Sequence, residues 1–257
     1  MLDNKIIFIS GASSGIGALV AEMVARRGAI PILTGRDRTK LEAVAQRVKG
    51  ECSFYQMDVT RNEQVQDTVD KVIAKYGRID ILLNNAGYGK FEYFKAAPID
   101  SFENMMNTNY MGVVRCTKAV LPHMEEQGMG HIINVASMAG KMATSKSTGY
   151  SATKHAVLGF TNALRMELKG SGITVSSINP GPIDTPFFAE ADPDGTYVKN
   201  VGWFMLKPEK VAEKIIYMME KRRAEVDMPA AAGAGIKLYG LFPRFIDRIF
   251  GGLLNRK

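Results

Sequence analysis

The chain has little of what staples a fold or binds a metal. Its 257 residues include two cysteines, Cys52 and Cys116, and three histidines, His123, His131 and His155. So few cysteines exclude a disulfide framework and point to a reduced, cytoplasmic setting. Cys52 is expected in a strand and Cys116 in a helix, both as packing residues. The histidines share no metal-ligand spacing, so no metal is expected and all three read as structural or surface residues. Long apolar runs are missing too: none approaches the roughly 20 residues of a membrane span. A first strand starting near Lys5 leaves no room for a signal peptide. Nor is there a dense Lys/Arg run with interleaved aromatics. The net charge of +7, from 33 basic and 26 acidic residues, therefore speaks less for nucleic acid than for an anionic surface or a phosphorylated ligand. Arg26-Arg27 and Lys221-Arg222-Arg223 fall near expected helix ends, where solvated cations suit the helix dipole.

What is present is the balance of an ordinary globular protein, 46% hydrophobic and 23% charged. Short apolar runs alternate with helical patterns: Ile6-Ile7-Phe8-Ile9, a helix over Ala18 to Arg27, then Ile30-Pro31-Ile32-Leu33. Further strands are expected at Phe54 to Met57, Ile79 to Leu83, His131 to Val135 and Ile173 to Ile178. Runs with so little alternation suit strands covered on both faces, so the expected fold is α/β, a doubly wound parallel sheet sandwiched by helices. Val157, Phe160, Leu164 and Leu168 fall at helical spacing after Tyr150, and Pro208-Glu209 opens another helix striped by Val211, Ile215 and Met218. No repeat, low-complexity segment or linker interrupts the pattern, so a single domain is expected over 1–257.

Two local patterns carry chemistry. The first strand runs into Ser10-Gly11-Ala12-Ser13-Ser14-Gly15-Ile16-Gly17, which opens a helix. Glycines there permit a tight turn and let backbone N–H groups and the helix N-terminus approach a pyrophosphate. Far downstream, Tyr150 and Lys154 stand at i and i+4 and share a helix face, so phenol and ammonium can enter one site. Ser137 ends an apolar strand upstream of them.

Together with Asn84-Asn85-Ala86-Gly87 and Asn179-Pro180-Gly181, the triplet Gly11/Gly15/Gly17, Ser137 and Tyr150-x-x-x-Lys154 make the chain resemble the short-chain dehydrogenase/reductase family. The likeness covers residues 5 to about 220, with the motifs in the family's order. It implies a Rossmann-type fold and an oxidoreductase interconverting a carbonyl and a secondary alcohol by hydride transfer, as a homodimer or homotetramer. It also implies cofactor contacts from Gly11, Ser13, Ser14, Gly15, Ile16 and Gly17, from Asp58 and Val59 at the adenine, and from Asn85, Ala86 and Gly87 at the ribose. Pro180, Gly181, Ile183 and Thr185 would line the nicotinamide end. For Asp58 a helix N-cap is the plainer reading, with Thr60 an equal candidate. At the end of the second strand Gly35 replaces the carboxylate of an NAD enzyme and Arg36 follows, which favours NADP through a bidentate guanidinium–phosphate contact. Asp37 would serve NAD if the register slips by two, and Ser14 lacks the second basic group of many NADP-using relatives.

By the same resemblance Tyr150 is the acid/base. A free phenol titrates near 10, so the positive charge of Lys154, joined by the oxidised nicotinamide, is expected to lower it toward neutrality. Lys154 would also hold the nicotinamide ribose, Ser137 would hydrogen-bond the substrate oxygen, and Asn109 would hold a relay water behind the lysine, with Asn107 the alternative.

A lid near 186–206, rich in Phe187, Phe188, Trp203, Phe204 and Met205, with Tyr88, Phe91, Met138 and Met142 nearby, suggests a mainly apolar substrate or plain packing. Lys90 and Lys141 either meet an acidic group or face water. The C-terminus departs from the family: over 236–257, Phe245, Ile246, Ile249, Phe250 and Leu253 oppose Arg244, Asp247 and Arg248. Such a basic amphipathic helix lies on a membrane surface or packs beside the site or a second subunit. Rival readings are a non-catalytic NADP sensor, a membrane-surface protein and a nucleotide-sugar epimerase, the last lacking room for its substrate domain.

Overall fold

The computed structural model describes residues 2–241. Seven strands form one parallel sheet: β1 (Ile6–Ser10), β2 (Ile30–Gly35), β3 (Ser53–Gln56), β4 (Ile81–Asn84), β5 (Gly130–Val135), β6 (Ile173–Pro180) and β7 (Glu225–Met228). Their order is β3-β2-β1-β4-β5-β6-β7, so the direction of winding reverses between β1 and β4. A crevice opens at such a reversal, beyond the carboxyl ends of the strands.

Helices cover both faces, as the unbroken apolar runs require. On β1, Ile7 and Ile9 pack toward α1 (Gly15–Ala25) and α9 (Pro208–Lys221), together with Leu33, Leu83, Ile133 and Ile178. Ile6 and Phe8 turn to the other layer, against α3 (Asn62–Tyr76), α5 (Gly112–Glu126) and α6 (Thr148–Glu167). The remaining helices are α2 (Arg38–Arg47), α4 (Ile99–Met106), α7 (Phe187–Ala191), α8 (Thr196–Val201) and α10 (Ala230–Leu241).

Several boundaries move from expectation. The first helix starts at Gly15, three residues before Ala18, and it ends at Ala25. The fourth strand starts at Ile81: the Ile79 N–H is taken by the Gln127 side chain at 3.1 Å, which leaves Ile79 buried but outside the ladder. Cys52 precedes β3 rather than lying in it, whereas Cys116 is buried in α5 as expected. His131 is buried beside Ser176, its Nε2 2.7 Å from the hydroxyl, a structural role. The amphipathic face expected around Phe245 to Leu253 lies outside the described residues.

Candidate active site

The carboxyl ends of the strands open onto a cleft of ≈ 1540 Å³. Ligand pockets usually hold about 300–1,000 Å³, so this one has room for a dinucleotide and a second molecule.

One end is the loop between β1 and α1. Gly11 and Gly15 take φ of +69° and +55°, where a side chain is strained. Gly17 is small for a different reason: an added Cβ would lie 2.4 Å from the Gly11 carbonyl oxygen and 2.7 Å from Asn85 Nδ2. Gly17 does not line the cleft, unlike Gly11, Ser13, Ser14, Gly15 and Ile16, so its place is in the packing of α1 on the loop. Asn85 ties the exit of β4 to the same turn, donating from Nδ2 to the carbonyls of Ser10 at 3.1 Å and Gly11 at 2.9 Å.

Gly35 closes β2 opposite Gln56, and Arg36 beside it lines the cleft. Asp37 lines the cleft as well and also caps α2, accepting from the Lys40 N–H at 3.0 Å, with Lys40 Nζ 3.6 Å away. That backbone hydrogen bond holds its carboxyl below the ordinary range. Lys40 itself lines the cleft, a second cation that sequence reading missed although it stands one turn into α2. Asp58, Val59, Ala86 and Gly87 line the cleft too. Neither Asp58 nor Thr60 caps α3, which begins after Arg61; the Asp58 carboxylate instead accepts from Thr60 N and Oγ1, both at 2.9 Å.

At the other end Ser137, Tyr150 and Lys154 share the wall. Ser137 caps the short turn Met138–Gly140, accepting from Ala139 N at 3.1 Å and donating to the Pro180 carbonyl at 3.3 Å. Tyr150 lies in the first turn of α6, and Lys154 one turn on has its Nζ 5.7 Å from the phenol ring centroid. The ammonium donates to the Val135 carbonyl at 2.8 Å. Burial pushes the Lys154 ammonium down to about 8. It also pushes the Tyr150 phenol up to about 12, with the Ser137 hydroxyl pulling partly back. In the protein alone the phenol is therefore held high by desolvation of its charged form; the lowering expected from sequence includes the oxidised nicotinamide as a second positive charge.

Asn109 is buried behind this wall rather than on it. Its Oδ1 accepts from Tyr88 N at 2.9 Å, and its Nδ2 donates to Tyr88 O at 2.8 Å and Thr153 Oγ1 at 3.1 Å. A Cβ on Gly87 would stand 3.0 Å from Asn109 Oδ1 and 3.8 Å from Lys154 Nζ, so the asparagine and the lysine back the same glycine. Asn107 accepts from Arg115 at 2.8 Å. Both asparagines lie in a π-helical turn, Asn107–Met111, of the kind often found at functional sites.

Pro180, Gly181, Ile183 and Thr185 line the cleft between its two ends, and the Gly181 N–H donates to Met228 O at 2.7 Å. Tyr88, Phe91, Met138, Met142, Phe187, Phe188, Trp203 and Phe204 line the outer half; Met205 does not. Lys141 and Lys90 are absent from the lining. Lys141 is held by Asp227, at 2.6 Å, and by Glu225. Glu190, Tyr197 and Asn200 join the lining without having been singled out in the sequence, where nothing distinguished them from other loop residues. Among the described residues no group of three His, Cys, Asp or Glu side chains could hold a metal, and no helix is long and apolar enough to cross a membrane.

Residues 5–195 match the family model described as short chain dehydrogenase. An uncharacterized oxidoreductase of Staphylococcus saprophyticus is 40% identical over 226 residues, covering 86% of this chain and 93% of that protein. Serine dehydrogenase, solved in a closed form with NADP+, superposes with a TM-score of 0.81 at 31% identity, over 87% of this chain and 94% of that one. A 3-ketoacyl-(acyl-carrier-protein) reductase from Brucella melitensis, solved with NADH, gives 0.81 at 27% identity, over 89% and 98%.

Proposed function

The chain belongs to the short-chain dehydrogenase family, and from that premise we propose an NADP(H)-dependent oxidoreductase that interconverts a carbonyl and a secondary alcohol, with Tyr150 as acid/base. One observation carries the reading: Ser137, Tyr150 and Lys154 share a wall of the cleft that, at its other end, holds a turn whose Gly11 and Gly15 take positive φ and whose Gly11 leaves no space for a side chain. The turn suits a pyrophosphate, because Gly11 and Gly15 hold conformations that expose backbone N–H groups at the start of α1. Arg36 and Lys40 both line the cleft, two cations suited to a ribose phosphate, and the Asp37 carboxylate beside them accepts the capping bond of α2. A nicotinamide dinucleotide, when bound, supplies or accepts the hydride.

The chain's own residues manage the proton. Ser137, whose hydroxyl donates to the Pro180 carbonyl in the protein alone, turns that donor to the oxygen of the carbonyl when substrate binds. Tyr150 gives its proton to that oxygen during reduction and takes it back during oxidation. With the phenol at about 12, donation is the easier direction in the protein alone, and oxidation needs further positive charge at the site. Lys154, tethered to Val135 O, supplies part of it while it stays protonated. Asn109 holds the Tyr88 backbone and so shapes the wall behind the lysine.

The test is Tyr150→Phe. Cofactor-dependent turnover of a carbonyl panel should fall at least about a hundredfold, while NADP binding by calorimetry stays near the wild-type value. Retention of more than a few per cent of the activity would remove the tyrosine from the proton step. Turnover favouring NADH, unchanged in Arg36→Ala, would refute the NADP assignment.

A further inference from the structure

The outer half of the cleft is walled by rings. Phe91 stands edge-on to Tyr150, centroids 5.7 Å apart at 90°, and lies over Tyr197 at 4.6 Å and 34°. Tyr197 stacks in turn on Phe188 at 5.5 Å and 23°. Phe187 completes the wall 5.7 Å from Tyr150. The wall reaches the phenol because residue 89 is glycine: a Cβ there would lie 2.8 Å from Phe187 Cζ and 3.1 Å from Tyr150 Cδ2. A group bonded directly to the reacting carbonyl therefore meets aromatic faces and edges at once. Rings prefer such offset and edge-to-face partners over saturated groups of equal size.

The charges point the same way. Among the described residues lining the cleft the basic side chains are Arg36, Lys40 and Lys154. The first two stand at the glycine-loop end and the third is tethered to Val135 O. Lys141, the cation nearest in sequence to Ser137, is taken by Asp227 and Glu225. The outer half instead carries Glu190, whose charge helps raise the Tyr88 phenol after burial. Among the described residues, an anionic substrate would meet the Glu190 carboxylate there, with Arg36, whose charge pulls the Tyr88 phenol partly back, toward the glycine loop.

We propose that the substrate is an uncharged ketone carrying an aromatic ring next to its carbonyl, seated against the Phe91–Tyr197–Phe188 stack. The proposal rests on the oxidoreductase reading for its turnover arm only, since binding reads the pocket without chemistry. Acetophenone, cyclohexyl methyl ketone and 4-carboxyacetophenone differ in the two properties at issue, the ring and the charge. Each is assayed for kcat/KM with NADPH, and for Kd by calorimetry with NADP+ present. Acetophenone should exceed each of the others about tenfold in both measures. Phe91→Leu and Tyr197→Leu, each checked by thermal melting, should lower the aryl-over-cyclohexyl ratio to about twofold or less; either variant that folds suffices.

Cyclohexyl methyl ketone handled within about twofold of acetophenone overturns the proposal and leaves the oxidoreductase reading standing. So does a preference for the carboxylated ketone, and failure of all three to bind also overturns it. Selective aryl binding without turnover by either cofactor supports the pocket and counts against the oxidoreductase reading.

Discussion

Lys154→Met should separate stability from activity in this protein. The side chain is 6% exposed, and burial moves its ammonium from 10.5 to about 8. The sign follows from proton counting: between those two values the unfolded chain binds more protons than the folded one, so stability rises with pH across that window. At pH 7 both states are charged and the folded state carries the full penalty, about 3 kcal/mol at ~1.36 kcal/mol per unit. Methionine matches the lysine stem in shape but leaves the Val135 carbonyl without its donor, a loss of about 1 kcal/mol. The variant should therefore be more stable than wild type by about 2 kcal/mol at pH 7. The gap should shrink below about 1 kcal/mol at pH 9.5, where the wild-type lysine folds largely neutral. Urea unfolding followed by circular dichroism at the two pH values measures it, with turnover assayed alongside and expected to be lost. A variant less stable than wild type at pH 7, or a gap independent of pH, would refute the claim that this ammonium is held at the fold's expense.

Two further outcomes follow from the same geometry. Gly17→Ala puts a methyl 2.4 Å from the Gly11 carbonyl oxygen, so α1 must move off the loop; overpacking of this kind costs about 1–3 kcal/mol, and calorimetry should show dinucleotide binding weakened by about tenfold or more. His131, pushed down to about 4 by burial, has a folded value below its unfolded 6.5; its neutral form contributes about 3 kcal/mol above pH 6.5 that is lost as pH falls toward 4, a slope that urea titrations should find in wild type and miss in His131→Gln.

The parts of the site that were readable before any coordinates are those whose logic is local. A glycine loop between a strand and a helix, or a tyrosine and a lysine one turn apart, contains its own geometry, and Gly11, Ser13 to Ile16, Tyr150 and Lys154 do meet in one cleft. The parallel sheet and both helix layers follow from the same alternation of apolar runs, whereas the strand order does not. What misled was energetic or distant. Spacing puts a cation near Tyr150 but says nothing of burial, which moves the phenol the other way. Gly17 does not line the cleft, and part of its constraint comes from Asn85, far along the chain, beside the nearer Gly11 carbonyl. Asp37 read as a possible ribose ligand because its cap to Lys40 cannot be told from a free carboxylate in the sequence.

Lys141 shows most clearly what local reading cannot reach, because its partners Glu225 and Asp227 arrive on the edge strand. Burial alone would lower its ammonium, yet hydrogen bonds to Asp227 and Glu225 raise it, so the lysine stays charged where it is held. Asn179 donates to the same two carboxylates at 3.0 and 2.8 Å. Lys141 lies four residues after Ser137, and Asn179 immediately precedes Pro180, whose carbonyl receives the Ser137 hydroxyl. One charged knot therefore braces both segments that orient the serine, and it joins them to β7 and to α10, where Gly233 closes on Asp227. The cation that sequence offered as a greeter of acidic substrates is thus bound to the protein's own carboxylates and does not line the cleft.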